Sequence, residues 1–269
     1  MENFIVSARK YRPQNFNTVV GQSHITTTLK NAILNQHLAH AFLFCGPRGV
    51  GKTTCARILA KTINCTNITK EGEACNQCES CVSFEKGASL NIHELDAASN
   101  NSVDDIRSLI EQVRIPPQAG KYKIYIIDEV HMLDIECFTY LNRALESTLA
   151  PIVVFATNRG ISKIRGTDVL SPHGIPVDLL DRMLIVRTHP YTIDEMVHIL
   201  SIRVATEDSL EVDESAMTLL GTIGSRTSLR YAMQLLMPSR ILADTYGRTK
   251  VTEEDVKQVD ALFLDGKAS

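Results

Sequence analysis

The run Gly46-Pro-Arg-Gly-Val-Gly-Lys52-Thr53 constrains this chain more than any other stretch. It fills every position of G-x-x-x-x-G-K-[ST], a loop whose backbone amides cradle a polyphosphate. The apolar run Ala41-Phe-Leu-Phe-Cys45 before it reads as a buried strand. After it, Cys55, Ile58, Leu59 and Ile63 recur at helical spacing. Strand, glycines and helix in that order are the context the motif needs; a chance glycine-rich turn is the rival reading. A Cβ at the glycines would block the required backbone angles or the close approach of a phosphate. The amides then point at phosphate oxygens from the positive end of the following helix. Gly46, Pro47, Arg48, Gly49, Val50, Gly51, Lys52, Thr53 and Thr54 are the candidate contacts, with Lys52 on the β/γ-phosphates and the Thr53 hydroxyl on Mg²⁺.

A second constellation fits the first. Lys123-Ile-Tyr-Ile-Ile-Asp128-Glu129 is a short hydrophobic strand ending in two acids. A carboxylate at such a tip, beside a phosphate loop, can hold Mg²⁺ through water, which is the role expected of Asp128. The next acid, Glu129, can polarise an attacking water as general base. Pro151-Ile-Val-Val-Phe-Ala-Thr-Asn158 is another buried strand with a polar tip, where Asn158 is either a holder of the lytic water or an ordinary turn residue. Arg182, before the strand 183–186, is either a surface salt-bridge former or a finger reaching a neighbouring subunit's γ-phosphate.

Cys65-x9-Cys75-x2-Cys78-x2-Cys81 places four thiols within seventeen residues. The surrounding segment 64–90 holds too few apolar residues for a core of its own. Four thiolates around one tetrahedral Zn²⁺ would staple it. Buried unligated thiols are disfavoured by Glu71, Glu73, Gln77 and Glu79. An iron–sulfur cluster is the further alternative, although the ferredoxin-type ending C-x3-C-P is absent. Cys45, Cys55 and Cys137 fall in strand or helix patterns and are expected in the core.

Between these motifs the pattern alternates. Strands near 41, 92, 123, 152 and 183 are separated by helical stretches, which predicts an α/β domain with a five-stranded parallel sheet. Ile25, Leu29, Ala32 and Ile33 mark an amphipathic helix after Gly21. Ser102-x-x-Asp105 opens another, with Val103, Ile106, Leu109, Ile110 and Val113 on one stripe, and Asp134 caps a third. Residues 159–180 read as a loop. From Pro190 onward only helices are expected, starting at Thr192-x-x-Glu195, Asp213, Thr227 or Ser228, and Thr252-x-x-Asp255. Arg230 sits in the first turn of the third, where a cation is disfavoured unless it meets an anion such as a phosphate. The expected division is a nucleotide-binding domain at 1–189, with the cysteine module 64–90 inserted, and a helical lid at 190–269. Formal net charge is −3, which gives no support for a nucleic-acid binder. No stretch has membrane length, and Met1–Lys10 lacks the apolar core of a signal peptide. A reducing, cytoplasmic setting is expected, where metal binding by cysteines is favoured over disulfides.

These words resemble the AAA+ ATPases, in two branches. Residues 1 to about 133 are similar to the gamma/tau subunit of the bacterial DNA polymerase III clamp loader, through Ala8-Arg-Lys-Tyr-Arg-Pro13, Val19-Val-Gly-Gln22, the phosphate loop, the four cysteines, Glu94-Leu-Asp-Ala-Ala-Ser99 and Tyr125-Ile-Ile-Asp-Glu-Val-His-Met-Leu133. Residues 128–269 resemble the RuvB-like ATPases of the pontin/reptin type. The words there are Asp128-Glu-Val-His-Met-Leu-Asp-Ile-Glu-Cys137, Ala156-Thr-Asn-Arg-Gly160, Ile164-Arg-Gly-Thr167, Ser171-Pro-His-Gly-Ile-Pro176, Asp178-Leu-Leu-Asp-Arg182 and Thr227-Ser-Leu-Arg-Tyr231.

The pair of resemblances implies a fusion at the strand 123–128. It implies Mg-ATP as cofactor, with Tyr11, Arg12, Pro13 and Val20 on the adenine side. Lys52, Thr53, Asp128 and Glu129 become the Walker groups, Asn158 the first sensor, Arg182 the arginine finger and Arg230 the second sensor. Cys65, Cys75, Cys78 and Cys81 become zinc ligands. The leading expectation is a clamp-loader-like ATPase in DNA replication, working in an oligomer of AAA+ subunits, pentameric or hexameric, with DNA reached through the assembly. The alternatives are a RuvB-like hexameric helicase or remodelling subunit, placed in the nucleus, and a nucleotide-binding but hydrolytically inert hybrid.

Overall fold

The computed structural model describes residues 12–111, 115–117, 120–147, 150–207 and 210–263. They form two compact units. One comprises residues 12–47 and 51–188; the other comprises 48–50 with the chain from His189 onward.

The first unit is built on a parallel sheet. Its strands are β1 (Ala41–Cys45), β2 (Ile92–Asp96), β3 (Ile124–Asp128), β4 (Ile152–Thr157) and β7 (Leu184–Arg187), in the order β2-β3-β4-β1-β7. Every pairing in it is parallel. Of the three inner strands, β1 and β4 are buried along their whole length. This is why they read as unbroken apolar runs: a parallel strand covered on both faces has no solvent side to encode.

Alternate residues serve two separate cores. Phe42, Phe44, Ile124, Ile126, Ile152 and Val154 pack on one face with helix α1 (Ser23–Leu34) and helix α2 (Lys52–Ile63). Leu43, Tyr125, Ile127, Val153 and Phe155 pack on the other with Ile106 of α4 (Val103–Glu111) and Phe138 and Leu141 of α5 (Ile135–Leu145). Each such side chain contributes about 1.5–3 kcal/mol on burial. The Ser102–Asp105 start is present: Ser102 Oγ donates to Asp105 Oδ2 at 2.6 Å and accepts from the Asp105 amide at 3.1 Å. Val113, the last residue of the expected stripe, lies outside the described residues.

Two local expectations are corrected. The segment 159–180 is not simply loop: Ile161–Lys163 (β5) and Leu170–Pro172 (β6) form an antiparallel hairpin, followed by a short helix, α6, at Val177–Leu180. Only Ser162 and Ser171 turn inward along it, so its strands lack the apolar alternation by which strands are recognised. Asp134 precedes α5 but makes no side-chain cap; its Oδ1 instead meets Arg165 Nε of the hairpin segment at 3.1 Å.

The cysteine module, which carries helix α3 (Glu79–Glu85), is bolted to the sheet unit by charge. Glu73, one of the polar neighbours that set the thiols apart from a packed apolar core, is itself only 5% exposed. Its carboxylate accepts from the Phe16 amide at 3.0 Å and the Asn17 amide at 2.9 Å, and pairs with Lys30 of α1 at 2.8 Å. Lys61 of α2, 2% exposed, pairs with Glu85 at 2.7 Å. Arg57, also on α2, lies 4.6 Å from the centre of the Phe84 ring.

The second unit is helical, with α7 (Ile193–Ala205), α8 (Glu214–Arg226), α9 (Leu229–Thr245) and α10 (Glu253–Leu262) around a core of Leu200, Leu220, Leu235 and Val256. Capping boxes stand at Thr192/Glu195 and Thr252/Asp255, and the Ser228 hydroxyl accepts from the Tyr231 amide at 3.2 Å. Three of the four starts named from the sequence are thus capped by their own residues, whereas Asp213 precedes α8 without a side-chain cap.

Glu73→Ala leaves the buried Phe16 amide, the partly buried Asn17 amide and Lys30 without this acceptor. The expected loss is about 2 kcal/mol, read by urea unfolding. A variant that unfolds with the parent would remove Glu73 as the anchor of the module.

Candidate active site

The phosphate loop leaves β1 and enters α2. Its backbone takes the conformations that its glycines permit: φ is +144° at Gly46, +80° at Gly49 and +85° at Gly51. At Gly46 the constraint is also spatial. A Cβ there would stand 2.3 Å from Thr188 Oγ1 and 2.7 Å from the Thr188 carbonyl. Gly51 caps α2 without any side-chain bond, so the first-turn amides of that helix are directed into the loop rather than onto a capping residue. Lys52 Nζ donates to the carbonyls of Gly46 at 2.9 Å and Pro47 at 2.5 Å, folded along the loop it belongs to.

The sheet order carries the second half of the site to the first. β4 lies between β1 and β3, so the tips of all three strands stand side by side. Thr53 Oγ1 donates to Asp128 Oδ2 at 2.7 Å, and the Glu129 amide donates to Asp128 Oδ1 at 2.9 Å. A hydroxyl and a carboxylate oxygen side by side are a hard-oxygen donor set of the kind Mg²⁺ takes, with water and phosphate completing the shell. Glu129 follows in a left-handed turn, φ +51° and ψ +40°, uncommon for a residue with a side chain. From the tip of β4, Asn158 Nδ2 donates to Glu129 Oε1 at 3.1 Å.

The structure therefore brings Lys52, Thr53, Asp128, Glu129 and Asn158 to one end of the sheet. Arg182 is held elsewhere: it pairs with Glu146 at 2.7 Å, both side chains about half exposed, a contact of small energy. Arg230 belongs to the other unit, in the first turn of α9 and exposed. Pro13 and Val20 are half-buried, and Val19 packs on the sheet core. Arg12 is half-buried too, while Tyr11 lies outside the described residues. One member of the site was missed in the sequence. His131 lies in the turn Val130–Met132, its Nδ1 3.0 Å from Thr157 Oγ1 and 3.5 Å from Glu129 Oε2. The only signal was its position two residues past Glu129, inside a word read for its acids.

The cysteine cluster is a second, separate centre. The sulfurs of Cys65, Cys75, Cys78 and Cys81 all lie within 4.8 Å of one another. Tetrahedral Zn–S bonds of about 2.3 Å place sulfurs about 3.8 Å apart, so the set needs only slight contraction to fit the metal. Backbone amides already point at it: Cys75 N to Cys65 Sγ at 3.3 Å and Cys78 N to Cys75 Sγ at 3.3 Å. Burial pushes the Cys65 and Cys81 thiols up. Burial also opposes ionisation of Cys78, but hydrogen bonds from Thr66 and from Cys81 outweigh it and bring the thiol down to about 6. A packed apolar thiol would show only the first effect, as Cys55 does, pushed up to about 12 by burial alone. Cys45, Cys55 and Cys137 are buried in the cores, apart from the cluster.

Comparison with known proteins places the chain. Residues 88–194 match the TIP49 P-loop domain, and residues 199–265 match the TIP49 AAA-lid domain. RuvB-like protein 1 of Arabidopsis thaliana is 57% identical over 146 residues, covering 54% of this chain and 32% of the relative. RuvB-like helicase 1 of Aedes aegypti is 56% identical over 147 residues, with the same coverage of each chain, and RuvB-like helicase 1 of Schizosaccharomyces pombe is 56% identical over the same length. The chain spans about a third of the length of these curated relatives. Residues 88–194 are thus similar to a RuvB-like P-loop domain and residues 199–265 to the lid that follows it.

The leading expectation of clamp-loader work in DNA replication is corrected by these matches, which are RuvB-like. They lend no support to a clamp-loader portion or to a fusion, and the RuvB-like match already begins at residue 88, well before the strand where a junction was expected. The words taken for the clamp loader across β3 belong to that matched span. The phosphate loop precedes it, so its reading rests on its own sequence and geometry.

Gly46→Ala is expected to cost at least about 2 kcal/mol, because the added carbon meets backbone as well as a hydroxyl. Gly160→Ala, which meets nothing within 4 Å, is expected to stay within about 0.5 kcal/mol of the parent. Equal unfolding midpoints for the two variants would contradict the close approach of Thr188.

Proposed function

We propose that this chain is the motor portion of a RuvB-like ATPase, binding Mg-ATP and hydrolysing it when subunits assemble. The observation that carries the reading is the 2.7 Å bond from Thr53 to Asp128, with Glu129 next in the chain and tied to Asn158. Phosphoryl transfer to water needs positioned charge rather than covalent help from the protein. Lys52 and the loop amides bind the β/γ-phosphates. Thr53 and Asp128 would hold a magnesium ion, which would supply charge neutralisation to the phosphate oxygens. Glu129 takes the proton of the attacking water, and Asn158 orients Glu129 and the water between them. Arg12, Pro13 and Val20 are assigned to the adenine side.

Arg182 serves as the finger in trans, exchanging Glu146 for a neighbour's γ-phosphate, and Arg230 as the second sensor. The finger role requires a ring of like subunits; a hexamer accords with the RuvB-like reading, as do remodelling or helicase partners, DNA met through the assembly and a nuclear location. Zinc in the four-cysteine cluster is structural: a closed sulfur site offers no open position for chemistry.

Lys52→Ala is expected to weaken ATP binding by at least tenfold in titration calorimetry, and Glu129→Gln to keep ATP bound while turnover falls by roughly 10²–10⁴. Unchanged affinity in the first, or parental phosphate release in the second, would overturn the assignment. The hydrolytically inert reading is selected instead if wild-type release equals that of Lys52→Ala at high protein concentration. Metal analysis of the purified chain is expected to give about one zinc per chain, lost in Cys78→Ser together with several degrees of melting temperature; no bound metal would reduce the cluster to packed thiols.

A further inference from the structure

We propose that His131 is a positioning residue for ATP hydrolysis, fixing the Glu129 carboxylate from the side opposite Asn158. The inference rests on the ATPase reading above and concerns a residue that reading does not use.

Both carboxylate oxygens of Glu129 face a nitrogen. Oε1 accepts from Asn158 Nδ2 at 3.1 Å, and Oε2 lies 3.5 Å from His131 Nδ1. The two nitrogens are set by adjacent residues at one strand tip: Asn158 supplies its own amide, and Thr157 holds the imidazole, with Oγ1 3.0 Å from Nδ1. Thr157 is itself fixed, fully buried and accepting from the Arg159 amide at 3.2 Å. The end of β4 thus supplies two consecutive side chains to the carboxylate: Asn158 bonds one oxygen, and Thr157 holds the ring that faces the other.

The ring has little room to leave. The His131 side chain is 8% exposed, against 30% for Glu129. The turn that carries it is held by the hairpin segment. Arg165 donates to the Met132 carbonyl at 2.5 Å and pairs with Asp134 at 3.1 Å. On another side, a Cβ built on Gly174 would stand 3.6 Å from His131 Cβ. Glu129 itself starts from a left-handed backbone position, which sends its side chain off the strand direction and makes lateral support necessary for a single orientation. A general base displaced by about 1 Å can lose on the order of a hundredfold in rate.

The test compares His131→Ala, His131→Asn and His131→Gln for ATP turnover and ATP affinity. The amide nitrogen of Asn can stand where Nδ1 stands, whereas that of Gln reaches toward the place of Nε2. His131→Ala is expected to lower kcat by roughly ten- to a hundredfold with the ATP dissociation constant within about twofold of the parent. His131→Asn should recover most of that loss and His131→Gln little. A kcat for His131→Ala within twofold of the parent, an affinity that falls in step with kcat, or equal behaviour of Asn and Gln would overturn the proposal.

A second readout needs no turnover. In imidazole NMR titration the His131 midpoint is expected to fall in Glu129→Gln, since a facing carboxylate favours the charged ring; an unmoved midpoint overturns the contact. Wild-type turnover no greater than that of Lys52→Ala would overturn the ATPase reading instead, and the titration then judges the His131–Glu129 contact by itself.

Discussion

A hydroxyl at the start of α2 and a carboxylate at the end of β3 meet at 2.7 Å, and most of the architecture is what permits that meeting. Thr53 and Asp128 are far apart in sequence, one in the helix that follows β1 and the other at the end of β3, and these two strands are not neighbours. They come together because β4 lies between β1 and β3 with every strand running the same way, so that the chain exits from all three at one edge. A parallel sheet covered on both sides also removes water from beneath the site. Charges at its rim therefore interact through a medium less screening than bulk solvent. The acids and the phosphate loop are useful only in that arrangement; each alone is an ordinary strand exit or a glycine turn.

The cysteine module is attached to the element that begins at the loop. Helix α2 starts at Lys52 and ends at Ile63, and Cys65 follows two residues later. Lys61 and Arg57 on that helix hold Glu85 and Phe84 of the module, while Glu73 of the module holds the backbone at Phe16 and Asn17. These ties involve lysines and a glutamate with little exposure, where removing one partner costs more than the pair contributes. The module thus shares a helix with the phosphate loop while standing as a separate cluster.

The sheet, its strand positions and the lid helices were legible because their signals are local. Continuous apolar runs mark β1 and β4, and Ser, Thr and acid at fixed spacing mark the helix starts. The pairing of the phosphate loop with Asp128 and Glu129 was legible because each motif names the other. Three things were not. Ile161–Lys163 and Leu170–Pro172 pair with serines inward, so no hydrophobic alternation announces them. Glu73 is buried by partners 57 residues away that no spacing rule connects. His131 reaches Glu129 only because the backbone at Glu129 turns left-handed, a conformation that a glutamate in a sequence does not advertise. The RuvB-like resemblance of the later part of the chain was carried by words spread over strand tips and turns. The clamp-loader resemblance was misleading in part because Asp128 to Leu133 is written alike in both families.

The alternation along β1 has a consequence for the length of the chain at that point. Phe42 and Phe44 answer to the helices on one side of the sheet, Leu43 to those on the other, and Gly46 must arrive beneath Thr188. Inserting or deleting one residue between Ala41 and Gly46 would turn every one of these side chains to the wrong layer and shift the glycine at the same time. Residue identity in this stretch tolerates exchange among apolar types of similar volume, but the number of residues does not: five positions measure the distance from one end of the strand to the phosphate-loop rim, and the strand works as a ruler.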